Sequence, residues 1–195
     1  MTTSSPDSGQ GTPQRERLAR RWQRDQRGAT ALEFALTAGP FLLFIFGIMM
    51  TGLQFFTMNS LEHGVETAAR MIRTGQAQSG GTTLAQFKQA ICNSATAPLK
   101  CDSHLAVHIQ QGANWSDITA EGCLKNDGTN TLAAGTGQST DSVSTYSGGA
   151  SVVVLVTVCY QWDLPKVVPI IKIGNMAGGA RLLQAAATFR SEPFN

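Results

Sequence analysis

From Phe34 to Leu61 the chain carries no charged residue, and most positions are Leu, Ile, Phe, Met, Ala or Gly. A hydrocarbon core about 30 Å thick takes about 20 helical residues, so this run is long enough to span one. It is also too long for the apolar core of an ordinary secretory signal. Beyond Phe56 the pattern changes. Leu61, Val65, Ala68 and Ile72 recur at helical spacing while Glu62, Glu66, Arg70 and Arg73 take the other faces, as in a helix with one side toward a core. Glu66 and Arg70 stand in the favourable order for a pair one turn apart. Arg70 and Arg73 suit the C-terminal dipole, and Gly75 suits a left-handed stop. The spacing predicts one helix from about Ala29 to Thr74, membrane-spanning over 29–56 and amphipathic over 57–75. At the helical rise its length would be on the order of 70 Å. Pro40, following Gly39, removes a ladder bond and predicts a kink.

The remainder, 76–195, reads as a separate α+β domain. Residues 76–82 are a Gly/Ser/Gln linker, and Thr83 can cap a short helix with Leu84, Phe87 and Ile91 on one side. His104 to Gln110 alternates polar and apolar, the period of a half-buried strand, which would turn His104 and His108 toward solvent. Residues 111–149 are rich in Gly, Thr, Ser, Asn and Asp. They read as a surface loop, tied down in part by Cys123. Ser151–Trp162 is β-branched and apolar almost throughout and predicts a central strand, ended by Leu164-Pro165. Residues 166–174 contain Pro169 and carry no assignment. Asn175–Gly179 is a turn and Arg181–Arg190 a last strand. The expected fold is α+β with a single membrane span: the long helix and a short one packed on a small antiparallel sheet of three or four strands.

Charge orients this layout. Residues 1–28 hold six arginines (Arg15, Arg17, Arg20, Arg21, Arg24 and Arg27) against Asp7, Glu16 and Asp25, whereas residues 57–195 carry nine basic and nine acidic side chains. The positive-inside rule then keeps the basic flank in the cytoplasm and exports the domain. A nucleic-acid-binding tail is the competing reading of the arginines, but the span accounts for them without further assumptions. Residues 1–14, rich in Ser, Thr, Gly, Pro and Gln, are expected to be disordered, and 15–27 could lie as a helix on the membrane face. All four cysteines, Cys92, Cys101, Cys123 and Cys159, fall beyond the span. An even number on the exported side reads as two disulfides. Three pairings are open, and Cys92–Cys101 with Cys123–Cys159 is favoured because the first closes a short loop across the Leu84–Ile91 segment and a turn at Pro98. Free buried thiols are the alternative, and zinc fits poorly because no pair has C-x-x-C spacing.

Glu33 is the most informative single residue. It stands at the edge of the apolar run, where an ionisable group is costly and marks function. It ends the stretch Arg27-Gly28-Ala29-Thr30-Ala31-Leu32-Glu33, followed by Phe34. A Gly at a basic/apolar junction with a carboxylate five residues on is the pattern cut by prepilin peptidases. Cleavage after Gly28 would remove the basic leader and free the α-amine of Ala29. A carboxylate in low dielectric gains from pairing with such an amine. If the amine belongs to a neighbouring subunit, the pair sets the register of an assembly. The plainer reading is an acid at a helix N-terminus in the headgroup zone. Ala31, Ala35 and Gly39 add a small-residue stripe that permits close helix packing.

With these residues in view, the stretch RGATALEFALTAGPFLLFIFGIMMTGLQFFTMNSLEHGVETAARMIRTGQAQ resembles the TadE-like minor pseudopilins of the bacterial tight-adherence (Tad/Flp) pilus system. The tail RLLQAAATFRSEPF is similar to that family's C-terminal ending. The resemblance implies a prepilin of the inner membrane, cut between Gly28 and Ala29 by a prepilin peptidase, with its domain in the periplasm. It implies Glu33 as the carboxylate needed for cleavage or assembly, other pilins or pseudopilins and the pilus assembly platform as partners, and a role in pilus biogenesis, adherence and biofilm formation. One departure is Phe34, where the Flp-type signal usually has Tyr; the ring is kept and the hydroxyl lost.

Enzyme signatures are missing from the sequence. There is no Gly-x-Ser-x-Gly, phosphate loop or His-Glu-x-x-His, and the expectation is no catalysis, no cofactor, no metal, no nucleic acid and no small-molecule substrate. The acids Asp117, Glu121, Asp127 and Asp141 would have to supply an exported hydrolase, yet they are ordinary for a soluble loop. The main alternative is an uncleaved signal-anchored protein whose domain binds an envelope partner or surface, adhesin-like.

Overall fold

The computed structural model describes residues 26–97, 99–167 and 173–193. The expectations for residues 1–25, for a turn at Pro98 and for 168–172 lie outside them. The chain divides into two units, 1–52 and 53–195.

Helix α1 runs from Gln26 to Arg73 and passes through Pro40 without ending. Gly28 lies within it rather than ahead of it. In the first unit its side chains form no core: Leu32, Phe34, Leu36, Phe41 and Phe44 are all largely exposed. This is the one candidate membrane span among the described residues, apolar on every side as lipid requires.

In the second unit the amphipathic part of α1 becomes a core element. Leu61, Val65, Ala68 and Ile72 are buried in one cluster with Phe87, Ile91, Val107, Val156 and Val158. Each such large apolar side chain contributes about 1.5–3 kcal/mol when fully buried. The helix ends as its sequence dictates. Gly75 adopts φ 77°, a conformation that costs glycine little, and its N–H donates to the Ile72 carbonyl at 3.1 Å. The expected Glu66–Arg70 pair does not form. Arg73 instead meets Glu192 at 3.3 Å.

After a single turn, α2 (Gln76–Ser79), helix α3 covers Leu84–Ser94 and buries Leu84, Phe87 and Ile91. Thr83 caps it with a reciprocal box: the Gln86 N–H donates to Thr83 Oγ1 at 3.2 Å, and the Thr83 N–H donates to Gln86 Oε1 at 3.0 Å. Gly64 lets α3 approach α1, since a Cβ there would stand 2.6 Å from the Ile91 carbonyl oxygen. A short turn, α4 (Cys101–His104), leads into the sheet.

The sheet has three strands, β1 (Leu105–Gly112), β2 (Val153–Trp162) and β3 (Arg181–Arg190), in the order β1-β2-β3 and antiparallel throughout. Leu105 pairs with Tyr160, and Val153 with Arg190. The central place of β2 explains its uninterrupted apolar run, because both its faces are covered. One face packs on α1 and α3. Ala106 and Cys159 on the other pack with Cys123, flanked by Leu132 and Leu182.

Much of the 111–149 stretch is exposed, and it is pinned at Cys123, Val143 and Ser147. Its backbone also completes α3, whose first-turn amides at Leu84 and Ala85 donate to the Asp141 and Ser139 carbonyls at 2.9 Å each. Val143 and Ser147 belong to its own short helix, α5 (Val143–Ser147).

Candidate functional site

The junction residues lie in the N-terminal part of α1. Gly28, Ala29, Glu33 and Phe34 are all exposed. Glu33 stands one turn after Ala29 on the same face. Its carboxylate forms no ion pair among the described residues. The Thr37 hydroxyl donates back to the carbonyls of Glu33 and Phe34 at 3.1 Å each, which satisfies that hydroxyl inside its own helix. Among the described residues Glu33 is an unpaired carboxylate on an apolar helix.

The cysteines form two bonds, Cys92–Cys101 and Cys123–Cys159, the pairing that sequence spacing favoured. The first ties the end of α3 to α4. The second ties the 111–149 stretch to the middle strand.

The histidines depart from the sequence reading. His104 ends α4 rather than lying in the strand, and its Nε2 meets Asp163 Oδ2 at 2.7 Å. Asp163 also accepts from Lys166 at 2.7 Å and from Gln161 at 3.0 Å. Burial pushes the Asp163 carboxyl up, but the bonds from Lys166, Gln161 and His104 outweigh it and hold the pKa at about 2. His108 does lie in β1 but is buried, not solvent-facing. The reason is Glu121, which the 111–149 stretch brings over that face so that its carboxylate meets His108 Nδ1 at 2.8 Å. Hydrogen bonds from Gln110 and from His108 hold the Glu121 carboxyl below its ordinary range. His108 Nε2 and the hydroxyl of Thr157, its cross-strand partner, are buried without a partner.

Glu121, His108 and Thr157 thus follow the order acid, imidazole, hydroxyl. Thr157 is 1% exposed, so no substrate can reach its hydroxyl, and the bond between His108 and Glu121 reads as a polar tie from the 111–149 stretch to β1. Sequence reasoning had no means of finding it, because Glu121 and His108 are joined only by the path of an irregular stretch. Among the described residues no group of three His, Cys, Asp or Glu side chains gathers to hold a metal.

The architecture defines the class: a single-pass, membrane-anchored protein with a disulfide-bonded α+β head. Residues 28–70 match the family model described as TadE-like protein. That likeness, over less than half of the chain, suggests a Tad pilus-associated protein. No curated protein and no solved structure matches the chain significantly.

Proposed function

We propose that this protein is a minor pseudopilin of a Tad/Flp-type pilus assembly and secretion system. In this reading a prepilin peptidase cuts between Gly28 and Ala29, the leader lies on the cytoplasmic side of the inner membrane, and the head works in the periplasm in pilus biogenesis, adherence and biofilm formation. The observation that carries it is the TadE-like match over 28–70, which begins at Gly28, the residue at the basic/apolar junction.

The chemistry follows from the junction. Cleavage strips six arginines, whose charge otherwise holds the N-terminus at the membrane face. The new amine of Ala29 is cationic near neutral pH. In a hydrocarbon setting Glu33 is stabilised by such an amine far more than in water. An amine from a neighbouring subunit would satisfy Glu33 and fix the axial step between the two helices. Phe34 supplies an exposed ring beside the carboxylate for packing against that neighbour.

The N-terminal sequence and intact mass of the protein from its native membrane, with and without the peptidase, test the reading. A chain beginning at Ala29 that disappears with the peptidase supports it. A chain retaining residues 1–28 in both strains overturns it in favour of an uncleaved anchor whose head binds an envelope partner. Glu33→Ala or Glu33→Val should block processing or assembly while insertion persists.

A further inference from the structure

The two edges of the sheet are treated differently. The outer edge of β1 is covered by the chain itself. The Thr136 N–H donates to the Val107 carbonyl at 2.8 Å, and the Ile109 N–H donates to Thr136 Oγ1 at 3.0 Å. Gly135 makes this possible, since a Cβ there would lie 2.5 Å from the Val107 oxygen.

The outer edge of β3 has no such cover. The Leu182 N–H points away from β2 and donates to Asn175 Oδ1 at 2.8 Å. Alternate residues of a strand share a hydrogen-bonding side, so Gln184, Ala186, Thr188 and Arg190 also point outward. The next outward amide, Glu192, donates to the Arg73 carbonyl at 2.8 Å. Both ends of the edge are therefore capped. Among the described residues, no backbone hydrogen bond from elsewhere in the chain reaches the positions between the caps. Natural edges are blunted by charge, proline, a bulge or cover. Here β3 pairs with β2 at ten consecutive positions without a bulge. From Leu182 to Phe189 it carries neither charge nor proline, and Gln184, Ala186 and Thr188 are exposed.

A groove of about 470 Å³ runs beside this edge, lined by Ala186–Phe189 and by Glu66, Ala69, Arg70 and Arg73 of α1. Arg73 is paired with Glu192. Arg70 and Arg190 are exposed cations without an ion pair among the described residues, and Glu66 is the one unpaired anion there. The edge thus calls for a carboxylate. A second copy of β3 brings none, because its charged residues are Arg181 and Arg190.

We propose that the open edge of β3 from Gln184 to Arg190 receives an extended strand of a different protein, small and uncharged opposite Ala186 and carrying a carboxylate for Arg70 or Arg190. The backbone groups supply the affinity and the arginines set the register. The surface lies wholly in the head, so it operates whether or not residues 1–28 are removed.

A photo-crosslinking residue at Gln184 of the full chain, in its native membrane, tests this. The expected product joins Gln184 to an acidic, extended segment of one partner. Ala186→Pro should lower its yield by about tenfold or more, because proline removes an outward N–H while leaving the β2 ladder intact. Ala186→Gly should leave the yield within about twofold, since it keeps that N–H. Intact disulfides and slow amide exchange in β2 establish that the proline variant is folded. Should it fail to fold, the unmodified chain decides: the amides of Gln184, Ala186 and Thr188 should exchange about tenfold or more slowly in native membranes than in the detergent-extracted chain alone. A product with a second copy of this chain, a product with a helical segment, no product, an undiminished yield in Ala186→Pro, or equal exchange overturns the proposal.

Discussion

Phe34, Leu36 and Phe44 are 66–73% exposed, whereas Leu61, Val65 and Ile72, further along the same helix, are 1% exposed or less. The two stretches have similar helical backbones and different surroundings. The first is apolar on every side and joins no core cluster among the described residues, as suits a membrane span. The second is apolar on one face and draws its stabilisation from the sheet and α3. Sequence periodicity separates them because a lipid-facing helix needs no polar side and a core-facing one does. The lesson is that one continuous element can belong to two stability accounts, and a substitution should act on the account in which it sits.

That distinction sets the largest expected effect. Ile72→Ala removes a fully buried side chain from the head and should lower its unfolding free energy by about 2–5 kcal/mol. Leu43→Ala, at a position 50% exposed, should leave head stability within about 0.5 kcal/mol. Denaturant titration of the full chain in detergent, followed by the fluorescence of buried Trp162, measures both. Equal losses would mean that the span and the head unfold as one unit, and the comparison would fail.

A smaller effect separates the two regions by pH. Asp163 belongs to the head, and its pKa of about 2 lies below the unfolded value of about 3.9. The carboxylate is therefore stabilised in the folded state. Its contribution is present above the unfolded pKa and is lost as the pH falls from about 4 through about 2. With the side chain 28% exposed, screening leaves a contribution on the order of 1–2 kcal/mol. Asp163→Asn should flatten the acid limb of a stability-against-pH curve in that window. An unchanged limb would show that Lys166 and His104 do not hold this carboxylate in solution.

Much of the head was legible because its sequence is locally consistent. Thr83 announces a helix cap, Gly75 a helix stop, and Ser151–Trp162 a central strand, which forms at Val153–Trp162. The junction at Gly28 and Glu33 stands out in the sequence because charge meets apolarity there abruptly, and its role in processing is the proposal made above. What failed was reading His104 and His108 as a solvent-facing strand pair. Alternation tells which residues share a face but not what an irregular stretch lays over that face, and Glu121 arrives by such a path. The open edge of β3 was equally invisible. Which strand is outermost depends on long-range pairing, and no local pattern encodes it.

The smallest effect concerns how each region treats its hydroxyls. Along the span of α1, Thr37 and Thr51 each donate to a carbonyl one turn back, at 3.1 and 2.9 Å, as a helix surrounded by hydrocarbon demands. Thr157 in β2 has no such carbonyl within reach, because an extended backbone places no carbonyl of the preceding turn beside the side chain. It is 1% exposed with its Oγ1 unpartnered. A buried hydroxyl without a partner carries a desolvation cost of about 1–3 kcal/mol. Valine keeps the β-branched shape that suits a central strand. Thr157→Val should therefore raise head stability, by up to about 1 kcal/mol once imperfect packing of the new methyl is allowed for. A loss of stability instead would mean that Oγ1 has a partner in solution, either His108 Nε2 or an internal water between the two. That outcome would move Thr157 into the polar tie made by Glu121 and His108, and the head would then satisfy its hydroxyls as fully as the span does.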